Sequence, residues 1–198
     1  MRTTKFLSLL TFILINIFSI NYSYSIEPDV FIQSTVNRAS KVLSGKYSKE
    51  EKIEKLKFIA SETVDIDGIG RYTLGSYKNE ITDNQIKEYR VLFRKYFLKS
   101  FSSRLAEYSN PEIEVISKKK LNKNYTIVSS ILVSTELRPE VKIDWRVSTK
   151  NPDNPLIMNL VIEGLSLART QKEEFSSIIQ SNDGDLNALF AALKKFIK

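Results

Sequence analysis

The sequence predicts an α+β domain, and three observations predict it. Before Pro111 the apolar residues recur every three or four positions, the spacing of amphipathic helices. Beyond Pro111 they alternate at every second position, as in strands with one buried face. From Ala168 onward the helical spacing returns. Helices, then an antiparallel sheet, then helices make one layered domain around one core.

The amino terminus has the layout of an export signal. Arg2 and Lys5 precede an apolar run from Phe6 to Ile20, and Ser23-Tyr24-Ser25 places small residues at positions −3 and −1 of a cleavage site. A membrane-spanning helix needs roughly 20 apolar residues, more than this run supplies. The expected plan is a signal peptide over residues 1–25 and a single domain over 26–198, soluble after cleavage. There is no cysteine, so neither lipoprotein attachment nor a disulfide framework is available, and the 173 residues of the mature chain must be held by their core. The leader carries two of the 30 basic residues and none of the 23 acidic ones, which leaves the mature chain at +5. That excess suits anionic lipid or an acidic partner, and an exported protein has little occasion to meet nucleic acid.

Within the mature chain, Pro28 opens a first helix with Val30, Phe31, Val36, Ala39, Val42 and Leu43 on one face, closing at Gly45. Lys49 to Val64 is a second helix, with Ile53, Leu56, Ile59 and Ala60 inward. Asp65 to Gly75 is glycine-punctuated and reads as a helical turn. Thr82-Asp83-Asn84-Gln85 forms a capping box, in which hydroxyl and amide satisfy each other's backbone donors at a helix start. The long helix it opens runs to about Tyr108, because Pro111 forbids continuation. Four strands follow at Glu112–Ser117, Tyr125–Ser134, Glu140–Ser148 and Leu156–Glu163. In the third, Val141, Ile143, Trp145 and Val147 share a face, and in the fourth Met158, Leu160 and Ile162 do. Two helices, Ala168–Gln180 and Asp185–Phe196, close the chain on either side of Asn182-Asp183-Gly184.

The long helix carries the most informative pattern. Tyr89, Phe93, Phe97, Phe101 and Leu105 recur at a strict spacing of four, thickened by Ile86, Leu92, Tyr96 and Tyr108. On a helix of 3.6 residues per turn each step advances the stripe by about 40°, so it winds around the helix. The chain has no histidine and no cysteine, which removes the commonest bases, nucleophiles and soft metal ligands. Much apolar surface with little chemistry points to a protein that holds something apolar, with no catalytic residue and no metal. Asp65 and Asp67 read as turn or cap residues. Ser129-Ser130 lacks the surroundings of a nucleophile, and Gly68-Ile69-Gly70 lacks the preceding strand and third glycine of a dinucleotide loop. Lys118-Lys119-Lys120 and Lys194-Lys195 read equally as solvated faces or as contacts for acidic groups, and Glu163 as a partner of Arg169 or a cap of the next helix.

Leu74-Gly75, Tyr77-Lys78, Thr82, Gln85 and the ladder Tyr89, Phe93, Phe101, Leu105, Tyr108 resemble the MlaC family of periplasmic phospholipid carriers, also called toluene-tolerance auxiliary proteins. Glu163-Gly164-Leu165-Ser166-Leu167, Phe175 and Gly184-Asp185-Leu186 resemble that family's second block. Tyr77 stands where tryptophan is frequent, Gln171-Lys172 where Tyr-Arg is, and Pro155 and Asn159 where Trp and Asp are. These departures touch partner contacts more than a pocket. The resemblance implies a long helix packed on a curved antiparallel four-stranded sheet, similar to the cystatin and NTF2-like group. It implies a bound phospholipid as ligand and no cofactor, with the acyl chains between helices and sheet. The residues expected to line that space are Leu74, the ladder Tyr89, Phe93, Phe97, Phe101 and Leu105, and the strand residues Val141, Ile143, Trp145, Val147, Met158, Leu160 and Ile162. The implied partners are an inner-membrane ABC transporter complex and an outer-membrane lipoprotein–porin complex. Two other readings fit the residues: an exported interaction module with a filled core, and a small acid/base enzyme on a cone-shaped fold.

Export with cleavage after Ser25 makes Ile26 the first residue of the mature protein, and intact-mass measurement of the exported chain checks it.

Overall fold

The computed structural model describes residues 25–136 and 138–198. Residues 1–24 of the expected signal peptide lie outside the described part. Three helices come first: α1 (Pro28–Ser44), α2 (Lys49–Thr63) and α3 (Ile66–Thr73). A 3-10 turn, Gly75–Asn79, leads to the long helix α4 (Asp83–Leu105). The sheet follows as β1 (Ile113–Asn122), β2 (Tyr125–Leu132), β3 (Val141–Ser148), β4 (Leu156–Ile162) and the two-residue β5 (Leu165–Ser166). Helices α5 (Leu167–Gln180) and α6 (Leu186–Ile197) end the chain. The fold is α+β, as expected, with a fifth short strand added.

Helix α1 opens on Pro28 with no side-chain cap, whereas the start of every later α-helix satisfies a free backbone donor with a side chain of the expected type. Ser48 and Glu51 form a reciprocal capping box on α2, and Thr82 and Gln85 form one on α4. Asp65 accepts from the Gly68 amide at 2.9 Å, Ser166 from the Arg169 amide and Asp185 from the Asn187 amide. Helix α3 is therefore a full helix rather than a turn, because Asp65 caps it and Ile66, Ile69 and Thr73 bury one face.

The strands form an antiparallel meander in the order β1-β2-β3-β4-β5. Directly opposed residues share a face, so the register builds the inner surface row by row. The rows are Ile113, Leu132 and Val141; then Val115, Ser130, Ile143 and Ile162; then Val128, Trp145 and Leu160; then Thr126, Val147 and Ile157. Helix α1 covers β1 and β2, and α3 and α5 cover β4. Gln33 clamps α1 to the edge strand, donating to the Ile113 carbonyl and accepting from the Val115 amide. The long helix packs chiefly on α2, α6 and α3.

Three sequence expectations are corrected here. Strand β1 continues through Lys118-Lys119-Lys120: after Val115 this edge strand is exposed on both faces, so its second half tolerates lysines and shows no alternation. A bulge between Arg146 and Val147 sets Asn159 opposite Arg146 but Ile157 opposite Val147, leaving Met158 unpaired. Ile157, not Met158, therefore fills the inner row. Glu163 sits at φ 48° and accepts a hydrogen bond from the Lys142 amide instead of pairing with Arg169 or capping α5.

Gly70 is fixed by close approach. A methyl group there would lie 2.6 Å from the Phe93 ring, inside the core. Gly70→Ala is expected to destabilise the protein by about 1–3 kcal/mol through overpacking, read from the urea midpoint.

Candidate functional site

The aromatic ladder divides into two halves with different surroundings. Tyr89 and Phe93 are each 1% exposed. Phe93 meets Phe175 of α5 edge-on at 6.1 Å, and Tyr89 stacks on Phe190 of α6 at the same distance. The Tyr89 hydroxyl is 2.8 Å from the Thr73 hydroxyl and donates to the Gly70 carbonyl at 3.2 Å. Burial raises the Tyr89 pKa well beyond its ordinary range despite the Thr73 hydrogen bond, so the phenol stays neutral and structural. One turn later the burial changes. Tyr96, Phe97, Leu98, Phe101 and Leu105 are only half-buried, with Phe97 and Phe101 stacked at 5.5 Å and 11°, and Tyr108 is exposed.

The inner face of the sheet grades in the same way. In its last row Thr126, Val147 and Ile157 are all buried. Toward the opposite end Ile113, Val115, Val141 and Ile162 are half-buried, with Leu132 and Ile143 enclosed between them. The two accessible ends are one end of the molecule. The loop from β2 to β3 leaves the first row and carries Arg138 to 5.6 Å from the Tyr108 ring, just past the end of α4. Among the described residues two buried side-chain polar atoms lack a hydrogen-bond partner, Ser102 Oγ and Arg138 Nε. Both belong to this end.

The expected site residues thus separate. Leu74, Tyr89, Phe93, Ile143, Trp145 and Val147 are buried in the core. Phe97, Phe101, Val141, Leu160 and Ile162 are half-buried and pack against it. Leu105 and Met158 are half-buried outside that group. Sequence reasoning did not single out Ile113, Val115 or Leu132. Strand β2 has apolar residues on both faces (Ile127 and Ile131 as well as Val128 and Leu132), so alternation there names no inner face.

The polar candidates are in structural use. Asp67 pairs with Arg90 at 2.6 Å. Ser129 donates to Asp144, while Ser130 accepts from the Trp145 indole at 2.8 Å. No group of three metal-ligating side chains occurs among the described residues, and no helix among them is long and apolar enough to cross a membrane. A separate cleft of about 510 Å³ lies between α3 and the first turns of α4, floored by Gly70, Tyr89 and Phe93. Asp67, Arg71, Lys78, Asp83 and Arg90 line it, and charged groups are poor neighbours for hydrocarbon.

A helix-roofed antiparallel meander, closed at one end and graded at the other, defines the class of domain. Residues 33–195 match the MlaC protein family, and the chain belongs to it. A solved structure of similar fold is a phospholipid-binding protein from Ralstonia solanacearum in complex with a phospholipid. It aligns with a TM-score of 0.73 at 17% identity, over 87% of this chain and 97% of that one. No curated protein matches the chain.

The two halves of the ladder should respond differently to truncation. Phe93→Ala is expected to lose about 3–5 kcal/mol, as for a sealed cavity in a core. Phe97→Ala should lose about 1 kcal/mol, since water already reaches that ring. Guanidinium chloride unfolding of both variants reads the difference.

Proposed function

We propose that this chain is a periplasmic phospholipid carrier, its acyl chains held between the C-terminal half of α4 and the inner face of the sheet. The observation that carries the reading is the shared gradient: both apolar walls pass from buried to half-buried toward the end marked by Tyr108 and Arg138. Family membership and the phospholipid in the Ralstonia protein support it. The headgroup stays at that mouth, where phosphate oxygens supply an acceptor for the half-buried Arg138.

Carriage needs no catalytic group. Burying a methylene is worth about 0.8 kcal/mol, so two acyl chains of about thirty methylenes resist water by roughly 24 kcal/mol. Transfer from a bilayer into an apolar chamber exchanges like for like, whereas release into water is prohibitively slow. Delivery therefore requires docking on an acceptor. We assign that role to the partners of the family's shuttle: an inner-membrane ABC transporter complex and an outer-membrane lipoprotein–porin complex. The departures at Tyr77, Pro155, Asn159 and Gln171-Lys172 bear on those contacts.

Protein purified without detergent should carry about one phospholipid per chain in native mass spectrometry; an apo mass alone would count against the proposal. Phe97→Asp is expected to remove that lipid while preserving the far-UV circular dichroism, because an ionised carboxylate opposes hydrocarbon. If the interior is instead a filled core, the same variant unfolds.

Labelled lipid should move to liposomes bearing the acceptor complex and remain on the protein with bare liposomes. Rapid transfer to bare liposomes would remove the requirement for docking.

A further inference from the structure

The end of the sheet remote from Tyr108 carries a charge pattern that the lipid chamber does not use. The β1–β2 turn and the β3–β4 turn lie side by side there, tied by the Thr149 amide donating to the Asn124 carbonyl at 2.8 Å. Lys123 comes from the first turn and Lys150 from the second, with the Lys150 ammonium 5.6 Å from the Tyr125 ring. Lys119 and Arg146 flank Ile127 in one row of the outer sheet face. Lys120, next along β1, opposes Thr126 and so emerges at the edge of the other face at the same end of the sheet.

All five cations are exposed, and none has an acidic partner among the described residues. Lys118 differs: it is neutralised by Glu27 at 2.6 Å and Asp29 at 2.9 Å. Within the two turns Asp153 is the one acidic residue. Between Lys120 and Lys123 in the chain, Leu121 occupies an irregularity of β1 between Lys120 and Asn122 and is 41% exposed. An exposed apolar side chain among unpaired cations at one end of the sheet matches the boundary between anionic headgroups and acyl chains. An acidic protein surface would use the cations but leave Leu121 without a counterpart.

We infer that this basic tip is a docking surface for an anionic phospholipid bilayer. It holds the carrier at the membrane through headgroup phosphates, with Leu121 entering the interface. The tip is at the far end of the sheet from the proposed mouth, so membrane attachment and lipid loading are separable by mutation.

Flotation with vesicles of phosphatidylcholine alone, or with about one-third phosphatidylglycerol, tests the inference across 50–500 mM salt. The wild type should float with the anionic vesicles only, and less as salt rises. Lys119→Glu combined with Lys120→Glu should weaken binding tenfold or more, and Leu121→Ser severalfold. Lys46→Glu combined with Lys49→Glu, an equal charge change elsewhere, should leave it within twofold. Lipid content by native mass spectrometry should stay at the wild-type level in every variant, which separates this test from that of the carrier reading. Equal loss in both charge-reversed pairs would reduce the effect to net charge and overturn the inference. So would a wild type that ignores anionic vesicles, or tip variants that float normally but lose binding to an acidic acceptor protein.

Discussion

An apolar stripe that turns by about 40° at every fourth residue cannot be covered by one flat neighbour, and the arrangement of this domain follows from that constraint. The first turns of α4 press Tyr89 and Phe93 against α3, α5 and α6, where Gly70 leaves room for the Phe93 ring and Phe175 meets it edge-on. By Phe101 the stripe has rotated by about 120°, away from that cluster. The sheet, roofed mainly by α1, α3 and α5, does not close tightly on the far half of α4. One helix therefore supplies both the anchor of the core and an incompletely buried apolar wall.

The division has an energetic logic. The anchor half is dense, with the Tyr89 hydroxyl satisfied by Thr73 and Gly70, and it fixes the helix independently of any ligand. The far half buries less and leaves Ser102 without a hydrogen-bond partner. The proposed carriage calls for such a surface: apolar enough to receive acyl chains, yet not required for folding. The charged cleft between α3 and α4 lies at the dense half, beside Arg90 and Asp67.

The basic tip shows how structure sorts charges that composition treats alike. Lys118 and Lys119 are neighbours in sequence, but β-pairing sends one to α1, where two carboxylates await it, and the other to the outer face beside Ile127. Lys194, in the second basic run, is held by Glu88 at 2.6 Å. A run of lysines therefore says little about free charge until the strand register and the neighbouring helix are known.

The order of helices and strands, the capping box at Thr82, the end of the long helix before Pro111 and the winding ladder were all legible in the sequence, because each depends on side chains within a few residues of one another. What lies across the sheet was not. The bulge that replaced Met158 with Ile157 arises from pairing with Val147, ten residues earlier in the chain. The inner face of β2 was hidden because both of its faces are apolar, and the strand through Lys118–Lys120 because edge strands need no alternation. The division of the ladder was hidden for the same reason. Phe93 and Phe97 are alike in sequence, and only the arrival of Phe175 from α5, eighty-two residues after Phe93, buries one ring completely and leaves the other open. Local chemistry decided which elements form; contacts between elements far apart in the chain decided which apolar surfaces remain accessible.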